Sequence, residues 1–197
     1  MLIRYLNQSI NYDSFFLFIF THMTENHPLI EDILDQHRPA LGHHYDKYRH
    51  HVYRVVNFTE LLCDKAEHDS DTLAVAAAFH DIGIWTSGTF DYLAPSVALA
   101  KEYIAGKQLS LSEETVEQII SNHHKVTTYQ DNKLAEAFRK ADLVDLSLGI
   151  ISHGVSGKEI AGIYDTFPGE RFHRFILGEI FKNALRHPLN PLPVMKW

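Results

Sequence analysis

The dipeptide His80-Asp81 lies within an apolar segment, LAVAAAFHDIGIW, that runs from Leu73 to Trp85. The residues before this pair are apolar on every side of a helical wheel, which is typical of a buried core helix. Two adjacent ionisable groups are costly to bury unless each has a strong partner. A divalent metal ion is such a partner, because it accepts imidazole nitrogen and carboxylate oxygen together. The segment therefore predicts a helical core that contains a metal site.

Helical periodicity continues through the rest of the chain, and no segment alternates convincingly as a strand does. The sequence shows no internal repeat and no interdomain linker. We therefore expect a single all-α domain, a compact helical bundle. Its helices are predicted at about 26–37, 42–66, 71–82, 95–106, 112–125, 132–148, 156–166 and 171–186.

Several of these predicted helices carry start or stop signals. Pro95 fits the first turn of its helix, where the missing N–H is tolerated. Two serines precede a glutamate by three residues, which is the spacing of a capping box: Ser110 with Glu113, and Ser156 with Glu159. Three glycines stand where helices are expected to stop: Gly83, Gly106 and Gly149.

The bulk composition limits the partners that this chain of 197 residues can have. Eighteen basic and 25 acidic residues give a formal net charge of −7, which argues against binding of a nucleic-acid polymer. Cys63 is the only cysteine, so no intramolecular disulfide can form, and we expect a reducing, cytoplasmic location. The fourteen histidines favour a metal site.

The N-terminal apolar run FFLFIF, from Phe15 to Phe20, is shorter than a membrane span and shorter than a signal-peptide core. We therefore expect no membrane association. Met23 is an alternative start of translation, so we divide the chain into a leader over residues 1–22 and a helical domain over residues 23–197. The same run offers an apolar surface for self-association, which leaves the oligomeric state open.

Two adjacent histidines, His50 and His51, lie on the predicted helix over residues 42–66. His51 shares its helical face with Val55 and Phe58, whereas His50 points to a more polar flank. Helical geometry therefore directs His51 into the core. The alternative to a metal ligand is a buried histidine that makes an ordinary hydrogen bond.

The predicted helix over residues 112–125 carries the sequence HHK at its end. His123 lies on the apolar stripe that includes Ile120, His124 lies one step around the helix, and Lys125 follows directly. The alternative to a functional site here is a surface cluster, since cations interact favourably with the negative end of a helix dipole.

Asp142 and Asp145 are three residues apart on one face of the predicted helix over residues 132–148. Periodicity alone does not distinguish which of the two is a ligand. The alternative for either is a helix-flank carboxylate paired with Arg139 or Lys140, and for Asp145 this alternative is favoured.

In chain order, these residues form a pattern. It consists of H-x-x-R-V from His51 to Val55, then His80-Asp81, then His123-His124, then Ala141-Asp142. The pattern resembles that of the HD-domain superfamily of metal-dependent phosphohydrolases, over roughly residues 45–150. The predicted helices agree with the all-α fold that this resemblance implies.

The resemblance also implies a set of metal ligands: His51, His80, Asp81 and Asp142. It favours Asp142 over Asp145, because the ligand in the family follows a small residue. In relatives, the stretch that matches His123 and His124 faces substrate or helps to hold a second metal. Two-metal relatives usually carry a further, separated histidine before the last aspartate. The sequence has none there, so we expect one ion.

Two turn-rich segments, Trp85–Ser96 and Phe167–His173, look like those of a bacterial HD subgroup whose substrates are poorly defined. Both are aromatic and polar, which suits loops at the rim of a pocket. Asp91 is a candidate base, and Arg171 and His173 are candidates for substrate binding. The alternative for both segments is packing over helix ends.

Two imidazoles and two carboxylates leave positions for water and a substrate oxygen on a divalent ion, which would be Mn, Fe, Co, Ni, Zn or Mg. Such an ion activates water and stabilises charge on a phosphoryl oxygen. His123 and His124 are candidates to protonate a leaving oxygen. Arg54 and Lys125 are candidates to contact phosphate or to orient a ligand.

We therefore expect a metal-dependent hydrolase, namely a phosphohydrolase whose substrate is a small phosphorylated compound or a nucleotide. One alternative is an HD-type hydratase or hydrolase that acts on a small nitrogen compound. Another is a non-catalytic binding module. Convergent cationic side chains favour the phosphorylated substrate, and a small pocket without them favours the nitrogen compound.

Overall fold

The computed structural model describes residues 23–63, 68–88 and 91–169, together with Gly178, Leu185, Val194 and Met195. Within these residues the secondary structure is helical and no strand is present, which confirms the all-α prediction. The helices are α1 (Pro28–Gln36), α2 (Arg38–Leu41), α3 (Tyr45–Leu62), α4 (Ser70–Phe79), α5 (Gly83–Thr86), α6 (Leu93–Lys107), α7 (Glu113–Asn122), α8 (Lys133–Leu146) and α9 (Gly157–Thr166). A 3-10 turn, Gly42–His44, joins α2 to α3.

Two of the predictions from the sequence concern residues that lie wholly or mainly outside the described ranges. The leader over residues 1–22 lies outside the described residues, and the helix predicted over residues 171–186 lies almost entirely outside them. Among the residues that the structure describes, no helix combines the length and the apolar character needed to cross a membrane.

The helix α3 is central to the bundle and packs along α8 and across α4. Its apolar face is fully buried at Val52, Val55 and Phe58, where it meets Phe138 and Ala141 of α8. Helix α4 also contacts α1 and α7, and α7 contacts α6 and α8. The bundle therefore brings α3, α4, α7 and α8 together around one point of the core.

Side chains cap the starts of several helices, at or near the predicted signals. The capping box of α9 is confirmed: Glu159 N donates to Ser156 Oγ, and Ser156 N donates to Glu159 Oε2. The cap predicted at Ser110 is wrong, because α7 starts two residues later and its cap is Ser112, whose hydroxyl accepts from Thr115 N.

Two of the three predicted glycine stops are wrong. Gly83 opens the short helix α5, and Gly106 lies inside α6, where Gln108 instead adopts the left-handed conformation that ends the helix. Gly149 does follow the end of α8, with a φ of 79°, and its N–H donates to the carbonyl of Val144.

Gly83 is required by close packing. A Cβ at this position would lie 2.6 Å from the carbonyl oxygen of Tyr92 and 2.8 Å from Oγ of Ser96. Gly83 N also donates to this Oγ, at 3.0 Å. The missing side chain therefore lets the turn after His80-Asp81 lie directly against the start of α6.

We expect Gly83→Ala to destabilise the fold by about 1–3 kcal/mol, because the new methyl group would have to push α6 away from the turn. Gly162→Ala is the matched control: Gly162 lies within α9, and a Cβ there meets no atom within 4 Å. This second variant should gain about 0.5–1 kcal/mol from the lower entropy of the unfolded chain. Urea unfolding measures both changes, and an unaffected Gly83→Ala protein would contradict the packing argument.

Candidate metal centre

Four helices each bring histidine or aspartate side chains to the same point of the core. His51 lies in the middle of α3, and Asp142 lies on the facing side of α8. His80-Asp81 follows the last residue of α4, and His123 follows the last residue of α7. All five side chains are buried.

The ligand atoms of these residues are close together. Nε2 of His51 lies 3.0 Å from Nε2 of His80, 3.6 Å from Oδ1 of Asp142 and 3.7 Å from Oδ2 of Asp81. Nε2 of His80 lies 3.5 Å from the same Asp81 oxygen and 4.0 Å from the same Asp142 oxygen. Two nitrogens and two oxygens therefore surround one small volume.

The second nitrogen of each imidazole shows which tautomer is present. Nδ1 of His80 lies 2.7 Å from the carbonyl oxygen of Ala77, and Nδ1 of His51 lies 2.6 Å from Oδ2 of Asp145. Because a carbonyl oxygen and a carboxylate oxygen only accept, both Nδ1 atoms carry the hydrogen. Both Nε2 atoms therefore present lone pairs to each other at 3.0 Å, an arrangement that a cation between them would stabilise.

His123 and Asp142 add two further acceptors. Nδ1 of His123 donates to the carbonyl of Ile120 at 2.8 Å, so its Nε2 also presents a lone pair, 3.3 Å from Oδ1 of Asp81. This Nε2 and Oδ1 of Asp142 are buried and have no hydrogen-bond partner within the described part of the chain. Buried acceptors without a partner are costly, so both atoms point to a ligand that donates to them or coordinates them.

A metal ion fits this set of atoms. Ligand atoms that lie about 2.1 Å from one ion are about 3.0 Å apart at a right angle and about 4.2 Å apart when opposite. The separations of 3.0 to 4.0 Å among His51, His80, Asp81 and Asp142 fall within these limits. The same side chains, with His123 and His124, form the overlapping groups that can hold an ion: His51 with His80 and Asp142, His80 with Asp81 and His123, and His123 with His124 and Asp142.

The electrostatics of the cluster also suit a dication. Burial lowers the pKa of His80 to about 3, so this imidazole stays neutral and keeps its lone pair. Burial and the neighbouring Asp81 raise the pKa of Asp142 well above its usual range. The pKa of Asp81 lies well below its usual range despite burial, and this carboxylate accepts a hydrogen bond of 2.6 Å from the hydroxyl of Tyr92. In the metal-free cluster, the ionised Asp81 thus lies beside Asp142, whose ionisation is unfavourable. A dication would reduce the repulsion between the two carboxylates.

A buried ion pair between Arg54 and Asp145 contacts Nδ1 of His51. Arg54 Nε donates to Oδ1 of Asp145 at 2.6 Å, and Arg54 Nη2 donates to Oδ2 at 3.0 Å. The hydroxyl of Tyr164 donates to the same Oδ1 at 2.7 Å, while Oδ2 accepts from His51. Burial acts to raise the pKa of Asp145, but the opposite effect of Arg54 and His51 is larger. The pKa is therefore lowered, and the carboxylate is ionised. Its position fixes both the tautomer and the ring plane of His51.

Arg54 was a candidate for contacting phosphate or for orienting a ligand. Its side chain is fully buried, and its remaining nitrogen, Nη1, donates to the carbonyls of Phe167 and Pro168. The structure therefore places Arg54 where it orients His51 through Asp145. The pairing favoured for Asp145, with Arg139 or Lys140, is wrong, because both of those cations pair with Glu136.

The remaining candidates lie around the cluster or outside it. His50 turns away from the core, with Nδ1 3.2 Å from the carbonyl of Pro168. Asp91 is exposed on the loop before Tyr92, and Lys125 is half-buried directly after His124. Arg171 and His173 lie outside the described residues.

His124 lies at the edge of the cluster. Its Nε2 is 2.7 Å from the hydroxyl of Tyr92, and its Nδ1 is 3.8 Å from Oδ2 of Asp142. The side chain is 15% exposed, whereas those of His51, His80 and His123 are 0% exposed. His124 is therefore the histidine of this group that reaches toward solvent.

Sequence reasoning missed two features of this site. No pattern of residue spacing in the sequence predicts the contact of Tyr92 with Asp81 and His124, because this contact depends on how a loop folds back. No such pattern predicts the Arg54–Asp145 pair either, because its members are 91 residues apart on two different helices.

Comparison with known proteins gives one positive result. The family model described as the HD domain matches residues 48–147, a span that holds every metal-ligand candidate. A search of curated proteins and a search of solved structures each found no match. The matched region covers 100 of the 197 residues, and the helices and ligand cluster described above lie largely within it. The chain therefore belongs to the HD-domain family, whose members are in general metal-dependent hydrolases.

Proposed function

We propose that the protein is a metal-dependent phosphohydrolase that acts on a small phosphorylated compound or nucleotide. The observation that carries this proposal is the convergence of buried lone pairs from four helices, in a chain that belongs to the HD-domain family. A divalent ion held by His51, His80, Asp81 and Asp142 would supply Lewis acidity and would activate water.

The protein's own side chains prepare the site for this chemistry. Asp145 and the carbonyl of Ala77 fix the rings of His51 and His80, so neither ligand has to reorient when an ion binds. Burial lowers the pKa of His124 well below its usual range, so this imidazole at the rim of the site is neutral.

The burial of the cluster favours a small substrate. The side chains of Asp81 and Asp142 are 5% and 2% exposed, and His124 is the histidine of the group that meets solvent. A substrate would therefore present one small reacting group past His124, with the rest of the molecule outside the cluster.

A second candidate is supported by the position of Arg54. Since its guanidinium is committed to Asp145 and to two backbone carbonyls, it is not directed at a phosphate. A site with fewer convergent cations favours an uncharged substrate, such as a small nitrogen compound hydrated or hydrolysed at carbon.

The decisive experiment is metal analysis of the purified protein, followed by activity screens with Mn, Fe, Co, Ni, Zn and Mg. We expect one tightly bound divalent ion and hydrolysis of a member of a phosphoester and nucleotide panel. Turnover confined to small amides, amidines or nitriles would instead support the second candidate. Bound metal without turnover on either panel, together with tight binding of a ligand, would show a non-catalytic module.

We expect His124→Gln to lower turnover by about 10²–10⁴-fold while the bound metal is retained, because glutamine keeps a polar side chain but cannot transfer a proton. Metal content by mass spectrometry and kcat on the same preparation test this separation. His50→Gln is the matched control, since His50 is a half-buried histidine that faces away from the cluster. If His124→Gln lost its metal, His124 would be a ligand, and a larger ligand set would replace the four-residue assignment.

A further inference from the structure

Tyr92 links two side chains of the candidate site. Its hydroxyl oxygen lies 2.6 Å from Oδ1 of Asp81 and 2.7 Å from Nε2 of His124, and its side chain is almost completely buried. Tyr92 stands immediately before α6, eleven residues after Asp81. The hydroxyl is thus a bridge between the aspartate of the His-Asp pair and the histidine at the rim.

The direction of these two hydrogen bonds follows from the number of hydrogens. The Tyr92 hydroxyl has one hydrogen, and it donates this hydrogen to Oδ1 of Asp81 at 2.6 Å. The contact with His124 must then run the other way, with Nε2–H donating to the hydroxyl oxygen. A neutral imidazole with its hydrogen on Nε2 has its lone pair on Nδ1.

This tautomer is the opposite of the one found at the other three histidines. His51, His80 and His123 each donate through Nδ1 and present Nε2 to the cluster. His124 donates through Nε2 and presents Nδ1, which lies 3.8 Å from Oδ2 of Asp142. The local partner of each ring therefore decides which nitrogen faces the ligands.

The contacts around Tyr92 restrict the position of its hydroxyl. Gly83 lies against the carbonyl of Tyr92, and its N–H donates to Ser96 one turn further along α6. The Tyr92 ring packs with Leu93, Val194 and Ile84. The turn after the His-Asp pair and the start of α6 thus form one unit that carries the hydroxyl.

We propose that Tyr92 is a positioning residue: it selects the His124 tautomer whose lone pair is on Nδ1, and it holds Oδ1 of Asp81 so that Oδ2 faces His51 and His80. The role in turnover rests on the proposed hydrolase function. The tautomer assignment is independent of that function and is tested separately.

The test removes the hydroxyl with Tyr92→Phe, which keeps the ring and its packing. Long-range 1H–15N spectra of the metal-free protein report which nitrogen of each histidine carries hydrogen. In the unchanged protein we expect His124 to carry it on Nε2, with His51, His80 and His123 carrying it on Nδ1. In Tyr92→Phe the His124 preference should be lost, and where a substrate is available kcat should fall about tenfold with KM unchanged.

Tyr103→Phe is the matched control, because it removes the hydroxyl of a tyrosine within α6, the helix that Tyr92 precedes, and that hydroxyl donates to Asp32. It should leave the His124 spectrum unchanged. Hydrogen on Nδ1 of His124 in the unchanged protein would overturn the proposal without any variant, and so would an unaltered tautomer in Tyr92→Phe. Absence of turnover on every panel, with the tautomer change present, would refute the hydrolase function and leave the positioning of His124 established.

Discussion

Replacing Asp142 with asparagine is expected to weaken metal binding by more than about 100-fold while the metal-free fold stays intact or gains stability. Removal of groups that merely orient a ligand costs about 10–100-fold in metal affinity, so loss of a ligand charge should cost more. In the metal-free protein, burial and Asp81 raise the pKa of Asp142, which means that ionisation of this carboxyl is unfavourable there. Asparagine cannot ionise and avoids this cost, so the effects on metal affinity and on stability have opposite signs.

Two measurements check this prediction. Competition with a fluorescent chelator gives the metal affinity, and urea unfolding in EDTA gives the stability of the metal-free protein. Asp145→Asn is the matched contrast, because Asp145 lies one turn along the same helix, and the pKa of its carboxyl is lowered by Arg54 and His51. We expect this variant to lose both stability and part of the metal affinity. Metal retained by Asp142→Asn but lost by Asp145→Asn would move the ligand assignment to Asp145.

Replacing Arg54 with methionine is expected to lower the free energy of unfolding by about 3–5 kcal/mol. Arg54 and Asp145 are both 0% exposed, and two hydrogen bonds of 2.6 and 3.0 Å join them. Removal of the guanidinium takes a positive charge away from a buried carboxylate, and the hydrogen-bond donors Tyr164 and His51 do not replace that charge. Methionine fills a similar volume, so the loss reports the charge and not a cavity.

Urea unfolding of the metal-free protein measures this loss, with Arg38→Met as the control. Arg38 also pairs with an aspartate, Asp35, but both side chains are more than half exposed. Removal of an exposed pair typically costs under about 1 kcal/mol. A loss below 1 kcal/mol for Arg54→Met would show that Asp145 does not depend on Arg54 for its charge.

The ligand-bearing helices could be predicted because each carries its own signal. The apolar residues around His80-Asp81 indicated burial, and the apolar stripe that includes Val55 and Phe58 separated His51 from His50. In the structure His51 is fully buried, whereas His50 contacts the carbonyl of Pro168. Helical periodicity reports orientation toward the core, and this was enough to place these side chains.

The partners of those ligands could not be predicted with the same rule. Arg54 and Asp145 are 91 residues apart, and only the packing of α3 on α8 brings them together. The tautomer of His124 depends on Tyr92, which stands at the end of a loop whose path no periodicity describes. Sequence patterns therefore predicted the buried side chains of the candidate metal centre, while the groups that orient them depend on tertiary contacts.

The distribution of ligands over four helices has a consequence for how the folded chain opens. No single helix holds an ion by itself, so partial unfolding of α3, α4, α7 or α8 would destroy the whole site. An ion at 100 times its dissociation constant therefore adds about 2.7 kcal/mol to the cost of opening any of these helices. Backbone amides in all four should exchange with solvent deuterium more slowly, and to a similar degree, when metal is present. The ion would thus make elements that are remote in the sequence open as one cooperative unit.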